Sequence, residues 1–281
     1  MRSLTTAPKF IIFTDLDGTL LDRDSYSFEG AEPALRMIRR RRIPLILSSG
    51  RTRAEIEWYR RKLSNDDPFV SENGGAIFLP KVYFPFPVPY DRESGEYFIV
   101  ELGTCSSRIV EVLDLIRKET GIPIRGFSNL TKEELSSLCG LRPEEAEFGK
   151  QREYDEPFLV EAGDAQIESV KRKIAEKGMN CIQRGRFLHL LGQNDRGKAA
   201  KILKKFYGVQ FRSILTAGIG DSLNDLPTLL AVDYPIFLSG KISSVPSLRD
   251  LTAIDGTGPR AWNEAILQLI NRLEYEGIQP Q

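Results

Sequence analysis

The sequence predicts an α/β protein: a parallel-sheet core interrupted by an inserted α+β unit. Three observations predict it. Phe10-Ile-Ile-Phe-Thr-Asp15 and Pro44-Leu-Ile-Leu-Ser-Ser49 are apolar throughout and end in small polar residues, the pattern of strands buried on both faces of a sheet. Helical periodicities alternate with these runs, as right-handed βαβ crossovers require. That rhythm changes after Pro80, and buried parallel strands resume only at Ile214. The expectation is a Rossmann-like core in two segments, residues 1–90 and 188–281, with a cap domain at 91–187 of ordinary small-domain size.

The elements follow in order. Gly30 to Arg42 reads as a helix with Ala31, Leu35 and Ile38 on one face. Arg53 to Leu63 reads as a second helix and Pro68-Phe-Val as a third strand. Ser71-Glu-Asn-Gly-Gly75 is a turn before a strand at Ala76 to Leu79. Lys81 to Pro89 holds three prolines and three aromatics, an irregular connection or an edge strand. In the insert, Glu96 to Leu102 and Phe158 to Ala162 are strand-like, and Asn180 to Leu191 is a hairpin turning at Arg184-Gly-Arg186. Helices are expected at Ser106 to Thr120, Thr131 to Cys139, Pro143 to Arg152 and Asp164 to Lys177. The second core segment carries a helix from Ala199 to Phe206, strands from Ile214 to Ile219 and Tyr234 to Leu238, and a closing helix from Ala261 to Leu273. The Arg39 to Arg42 run ends a helix, where cations complement the dipole.

Composition excludes several classes. The 281 residues are 41% apolar and 28% charged, so the chain is globular rather than disordered. With 39 basic and 39 acidic residues it has no formal net charge, a poor match to nucleic acid. No apolar run is long enough to span a bilayer, and Met1 to Pro8 carries no apolar signal region, so a cytoplasmic location is expected. Cys105, Cys139 and Cys181 form neither a C-x-x-C pair nor a C-x5-R loop, which argues against disulfides, a zinc site and thiolate phosphatase chemistry. His189 is the only histidine, and no G-x-S-x-G is present.

Two acidic clusters carry the chemistry. Asp15-Leu-Asp17-Gly-Thr19 ends the first strand, and Gly220-Asp221-Ser-Leu-Asn224-Asp225 ends the strand from Ile214. Carboxylates this close repel unless a cation joins them. Two acid-tipped parallel strands meeting at one sheet edge would form an open, oxygen-rich site of the kind Mg2+ prefers when it also meets phosphate. Ser48 and Ser49 add hydroxyl donors at that edge. Lys198, near a helix start, is a candidate phosphoryl-binding cation, or else an exposed helix lysine. Gly192-x4-Gly197-Lys198-Ala199 imitates a nucleotide P-loop but has Ala where that loop needs a hydroxyl.

Together these segments resemble the haloacid dehalogenase-like phosphohydrolases: Asp15-x-Asp17-Gly-Thr, Ser49-Gly-Arg51, Lys198 and Gly220-Asp221-x-x-Asn224-Asp225 occur in the family's order. The resemblance implies Asp15 as nucleophile, Asp17 as general acid and base, and Ser49 and Lys198 as phosphoryl ligands. It implies Mg2+ on Asp15, the Asp17 carbonyl and Asp221, with Asn224 and Asp225 orienting the site. Within the insert, Arg125-Gly-Phe-Ser-Asn-Leu-Thr131, Gly140-Leu-Arg-Pro-Glu-Glu-Ala146, Gln151-Arg-Glu-Tyr-Asp-Glu-Pro-Phe158 and Gly185-Arg-Phe187 with His189 resemble the mannosyl-3-phosphoglycerate phosphatases. A phosphorylated sugar-glycerate substrate follows from that likeness, with a broader sugar-phosphate phosphatase as the alternative. A non-catalytic phosphate-binding protein and a P-loop NTPase stand further off.

Such a substrate carries a carboxylate beside its phosphate. Arg125, Arg152, Arg184 and Arg186 are candidate partners for it, with Arg152 and Arg186 preferred because they lie in the matching segments. Glu153, Asp155 and Glu156 are candidate acceptors for sugar hydroxyls, and Asn73, Gly74 and Gly75 could approach the substrate through their backbone. His189 is either a substrate contact or a packed strand residue. Arg51 and Arg196 are departures from the subfamily, which usually has Lys at each position. Oligomeric state is not legible.

Overall fold

The computed structural model describes residues 8–240 and 250–278, so the Met1 to Ala7 part of the N-terminal reading lies outside the described residues. Five strands run parallel in the core: β1 (Lys9–Thr14) lies between β2 (Leu45–Ser48) and β11 (Ile214–Gly220), β3 (Phe69–Ser71) follows β2, and β12 (Tyr234–Ser239) follows β11. A further parallel strand, β13 (Thr252–Asp255), extends the β12 edge. Strand alternation explains the layers. Phe10 and Ile12 face one apolar cluster with helices α1 (Glu32–Arg41) and α9 (Gly258–Tyr275), while Ile11 and Phe13 face a second with α7 (Arg196–Phe211). Trp262 of α9 is fully buried, and its indole N–H donates to Thr14 Oγ1 at 3.0 Å, fixing α9 under the end of β1.

The arginine run behaves as a helix end. Arg39 pairs with Glu32, Arg41 pairs with Glu274, and the Arg42 carbonyl accepts from Lys9 Nζ at 2.6 Å.

Both expected domain cuts move. After β4 (Ala76–Pro80) the chain leaves through the proline-rich stretch but returns as β5 (Arg92–Ser94) and β6 (Tyr97–Glu101), which extend the core sheet antiparallel to β4. Tyr97 holds them there. Its ring packs edge-on against Phe69 and Phe78, and its hydroxyl accepts from Arg60 Nη1 at 2.6 Å. At the other end, β10 (Phe187–Leu191) pairs with β8 (Asp155–Val160) and β9 (Asn180–Arg184), so the inserted sheet runs on to Leu191.

That insert is a four-stranded antiparallel sheet, β7 (Ile124–Gly126), β8, β10, β9, backed by α3 (Ser106–Thr120) and α6 (Asp164–Glu176). Two short helices, α4 (Lys132–Cys139) and α5 (Pro143–Lys150), form a smaller cluster with Phe127 and Leu130. Thr131 and Glu134 form a capping box at the start of α4. The two connections between the sheets touch: a Cβ on Gly192 would collide with Thr104. All three cysteines are free, and no described helix is long and apolar enough to cross a membrane.

Candidate active site

The C-terminal ends of β1 and β11 bring both acidic clusters together, because Asp15 N–H continues the pairing by donating to Ile219 O at 3.0 Å. The chain then folds back over itself, with Leu21 N–H donating to Leu16 O at 2.8 Å. Gly18 makes the reversal possible. It has φ +79°, and a Cβ there would lie 2.6 Å from Asp221 Oδ2.

Asp15, Asp221 and Asp225 each offer an oxygen, and these lie within 4.8 Å of one another. Asp15 Oδ2 is buried without a hydrogen-bond partner. An all-oxygen donor set around an orphaned carboxylate oxygen fits a hard divalent cation. The three carboxylates are not equivalent. Asp225 Oδ2 accepts from the N–H groups of Asp221 and Ser222 and from Ser222 Oγ, and its Oδ1 accepts from Arg196. Its acceptor positions are heavily used, which suits orienting the turn better than holding a metal. Asp221 Oδ1 accepts from Thr19 Oγ1 at 3.0 Å, and its Oδ2 accepts from Arg23. Asp17 does not join this group through its side chain: its Oδ1 accepts from Arg51 Nε and Nη2 at 3.0 and 2.6 Å. Asn224 lies close by on the wall of the cleft.

Charge follows the geometry. Burial, reinforced by Asp225, pushes the Asp15 carboxyl up to about 6 against the pull of Arg196 and Arg184. Burial acts the same way on Asp17, but Arg51 and Arg184 outweigh it and hold that carboxyl below its ordinary value.

Lys198 is not in the site. It is exposed, and the start of α7 on which it stands is already capped, Asp195 Oδ1 accepting from the N–H groups of Gly197 and Lys198. Neither a P-loop nor a phosphoryl-binding lysine is formed there. Arg196, two residues earlier, takes the position instead. It is only 3% exposed, and its Nη1 donates to Asp15 Oδ1 at 2.9 Å and to Asp225 Oδ1 at 2.7 Å. The departure Asp195-Arg196-Gly197 was the available signal.

Ser49 is buried just past the end of β2, its Oγ accepting from Arg51 N–H at 3.3 Å, while Ser48 Oγ is buried without a partner. Asn73 lies behind Arg196 rather than in the cleft, its Oδ1 accepting from Arg196 Nη2 at 2.9 Å. Gly74 and Gly75 are no substrate wall. A Cβ on Gly74 would strike the Asp195–Arg196 backbone, and one on Gly75 would strike Tyr154.

The cleft between the two sheets encloses about 620 Å³. From the core, Asp17, Arg51, Asp221 and Asn224 line it. From the insert come Arg152, Arg184, Arg186 and His189, with apolar cover from Phe127, Leu141 and Phe187. Arg152 is already engaged, donating from Nη1 to Gly50 O at 2.8 Å and from Nε to Gly149 O at 3.0 Å. Arg184 reaches deepest, its Nη2 standing 3.5 Å from Asp15 Oδ2 and 3.6 Å from Asp17 Oδ2. Arg186 is exposed and stacks on Phe187. His189 Nδ1 lies 2.9 Å from Asp155 Oδ2. Glu156 is turned away from the cleft, accepting from Ser128 N–H and Oγ. Arg125 pairs with Glu161 at 2.9 Å and does not line the cleft, and Glu153 pairs with Arg92. A separate cavity of about 570 Å³ lies between Lys9, Tyr83 and Tyr207, and none of the acid cluster lines it.

An acid-tipped parallel sheet facing a cation-lined insert suits a phosphoric monoester hydrolase. A family profile of haloacid dehalogenase-like hydrolases matches residues 12–84. A glucosyl-3-phosphoglycerate/mannosyl-3-phosphoglycerate phosphatase of Methanococcoides burtonii is 44% identical over 94% of this chain and 98% of its own. A mannosyl-3-phosphoglycerate phosphatase of Pyrococcus horikoshii is 36% identical over 87% of this chain and 98% of its own. A solved haloacid dehalogenase-like hydrolase from B. subtilis shares the fold, with TM-score 0.62 and 19% identity over 93% of this chain and 98% of that one. The chain belongs to the haloacid dehalogenase-like hydrolases, in the family of the glucosyl- and mannosyl-3-phosphoglycerate phosphatases.

Proposed function

We propose that the chain hydrolyses mannosyl- or glucosyl-3-phosphoglycerate to the glycosylglycerate and inorganic phosphate. One observation carries the mechanism: Asp15 presents a buried Oδ2 that accepts no hydrogen bond while Arg196 and Arg184 stand beside the carboxylate. The names of the relatives support the substrate. An Asp15 carboxylate oxygen attacks phosphorus, and the bond from phosphorus to the glycerate oxygen breaks. The leaving oxygen takes a proton from Asp17. Water then attacks the aspartyl-phosphate, returns a proton to Asp17 and releases phosphate.

Arg196 and Arg184 hold the phosphoryl oxygens through both steps, with Ser49 beside them. Asp17 reaches its acid form because the incoming phosphate competes for Arg51 and Arg184, the two charges that keep its carboxyl ionised. Asp15, Asp221 and the Asp17 carbonyl would hold Mg2+, with Asn224 and Asp225 orienting them. When bound, the ion neutralises charge on the transferring group. Three free thiols fit the cytoplasmic setting that belongs to the same proposal.

Phosphate release from both glycosyl phosphoglycerates and from simple sugar phosphates tests the substrate. Asp15→Asn should lose turnover by several orders of magnitude while remaining folded. Normal turnover in that variant refutes the mechanism. Chelation should stop the enzyme and Mg2+ should restore it, whereas full activity in metal-free protein refutes the shared cation.

A further inference from the structure

A chain of polar contacts crosses from the insert to the candidate nucleophile. His189 on β10 lines the cleft, and its Nδ1 meets Asp155 of β8 at 2.9 Å. Asp155 Oδ2 accepts from Asn73 Nδ2 at 3.1 Å. Asn73 Oδ1 accepts from Arg196 Nη2 at 2.9 Å, and Arg196 Nη1 donates to Asp15 at 2.9 Å. Every member is buried, Asp155 completely.

The chemistry gives this chain one direction. A guanidinium donates only, and an ionised carboxylate accepts only. The Asn73 amide sits between Arg196 and Asp155. Its oxygen must face Arg196 and its NH2 must face Asp155, since the flipped amide would meet a like partner on both sides. The carboxylate of the insert thus fixes the amide, and the amide fixes the plane of the guanidinium. With Nη1 shared by Asp15 and Asp225 and Nη2 on Asn73, the fork has no second orientation that keeps all three bonds. The backbone supports this placement, because Asn73 is held at φ +60°, where Asn is tolerated.

We propose that Asn73, oriented by Asp155, is a positioning residue that aims Arg196 at Asp15, so that docking of the insert sets the geometry of the nucleophile. The proposal rests on Asp15 acting as nucleophile. It does not rest on the identity of the sugar, so a small ester, para-nitrophenyl phosphate at saturating Mg2+, is the probe.

Asn73→Gly removes the amide without straining the positive φ. It should lower kcat about tenfold or more, the effect of losing a bond to a charged group, with KM changed by less than about twofold. In an Arg196→Lys background the same change should cost less than about twofold, because an ammonium cannot serve Asp15 and Asn73 as one planar fork. Independent, multiplicative losses would mean that Asn73 only shapes its loop, and would overturn the proposal. Should Asn73→Gly not fold, Asp155 supplies the second arm. Asp155→Ala should depress kcat on the same ester, and Asp155→Asn, which keeps an acceptor for the Asn73 NH2, should recover most of it. Full kcat in folded Asp155→Ala would break the link to the insert. If wild-type enzyme hydrolyses no phosphate ester, the nucleophile assignment itself falls and the proposal with it. If it hydrolyses para-nitrophenyl phosphate but no glycosyl phosphoglycerate, only the substrate assignment falls.

Discussion

The two walls of the cleft are built on different principles. On the core side, Asp225 is held within its own turn by the N–H groups of Asp221 and Ser222 and the Ser222 hydroxyl, while Asp15 and Asp221 are tied across the core to Ile219, Arg196 and Thr19. On the insert side, Arg184, His189 and Arg152 owe their positions to partners distant in sequence, such as Asp15, Asp155 and Gly50. The acids take their hydrogen bonds from core residues, whereas Arg184 and Arg152 meet their partners only with the insert docked on the core.

The sharpest break of this contrast lies within one helical turn of α7. Arg196→Ala should reduce kcat/KM by roughly a hundredfold or more, since it strips buried Asp15 and Asp225 of their shared cation. Lys198→Ala should change it by about twofold at most, as for other surface changes. Equal losses in steady-state kinetics would restore the lysine and discard the arginine. On the opposite wall, Arg184→Ala should lower kcat/KM for mannosyl-3-phosphoglycerate roughly tenfold to a hundredfold and also weaken hydrolysis of a small ester. Arg186→Ala should act chiefly on the glycosylated substrate and by less. The reverse ranking would make Arg186, rather than Arg184, the insert's main contact with the substrate.

A smaller effect concerns how the walls are joined. Glu72, next to Asn73, accepts from the N–H groups of Glu153 and Tyr154 in the insert. Burial, with Asp155 adding to it, pushes its carboxyl up to about 8. The folded protein therefore keeps a proton that the unfolded chain releases near 4.5. This stabilisation is fully present below that lower value and fades as pH rises through about 8. Between about pH 5 and pH 9, Tm of the wild type should fall further than that of Glu72→Gln, by on the order of 5 °C. Parallel Tm curves would remove Glu72 from this role.

Much of the core was legible because its signals are local. A buried strand announces itself by an apolar run, and Asp15 and Asp221 sit at the ends of two such runs. The errors arose where distant contacts decide. Nothing between Arg92 and Glu101 says that these strands rejoin the core, because the rings that hold Tyr97 are Phe69 and Phe78. Glu156 and Gly74 lie in suggestive motifs, yet strand alternation and a tight backbone contact turn them away from the cleft. Lys198 lies near a helix start and in the family's motif order, yet its side chain is exposed. Helix phase, which puts the first residue after the Asp195 cap over the sheet edge, favours Arg196.

The touching connections at Thr104 and Gly192 have a bearing on how such an enzyme can change. The insert leaves and re-enters the core through one doorway, so its size does not alter the span that must be bridged. A longer, shorter or different module could occupy the same doorway without displacing β6 or α7, because closing a loop over a fixed gap costs only slowly more as the loop lengthens. The acid-bearing edge would then keep its reaction while its customer changed. For this molecule that makes the doorway a place to exchange parts: a cap from another member of the family, spliced between Thr104 and Gly192, should inherit the hydrolytic edge, provided its own counterpart of Asp155 meets Asn73.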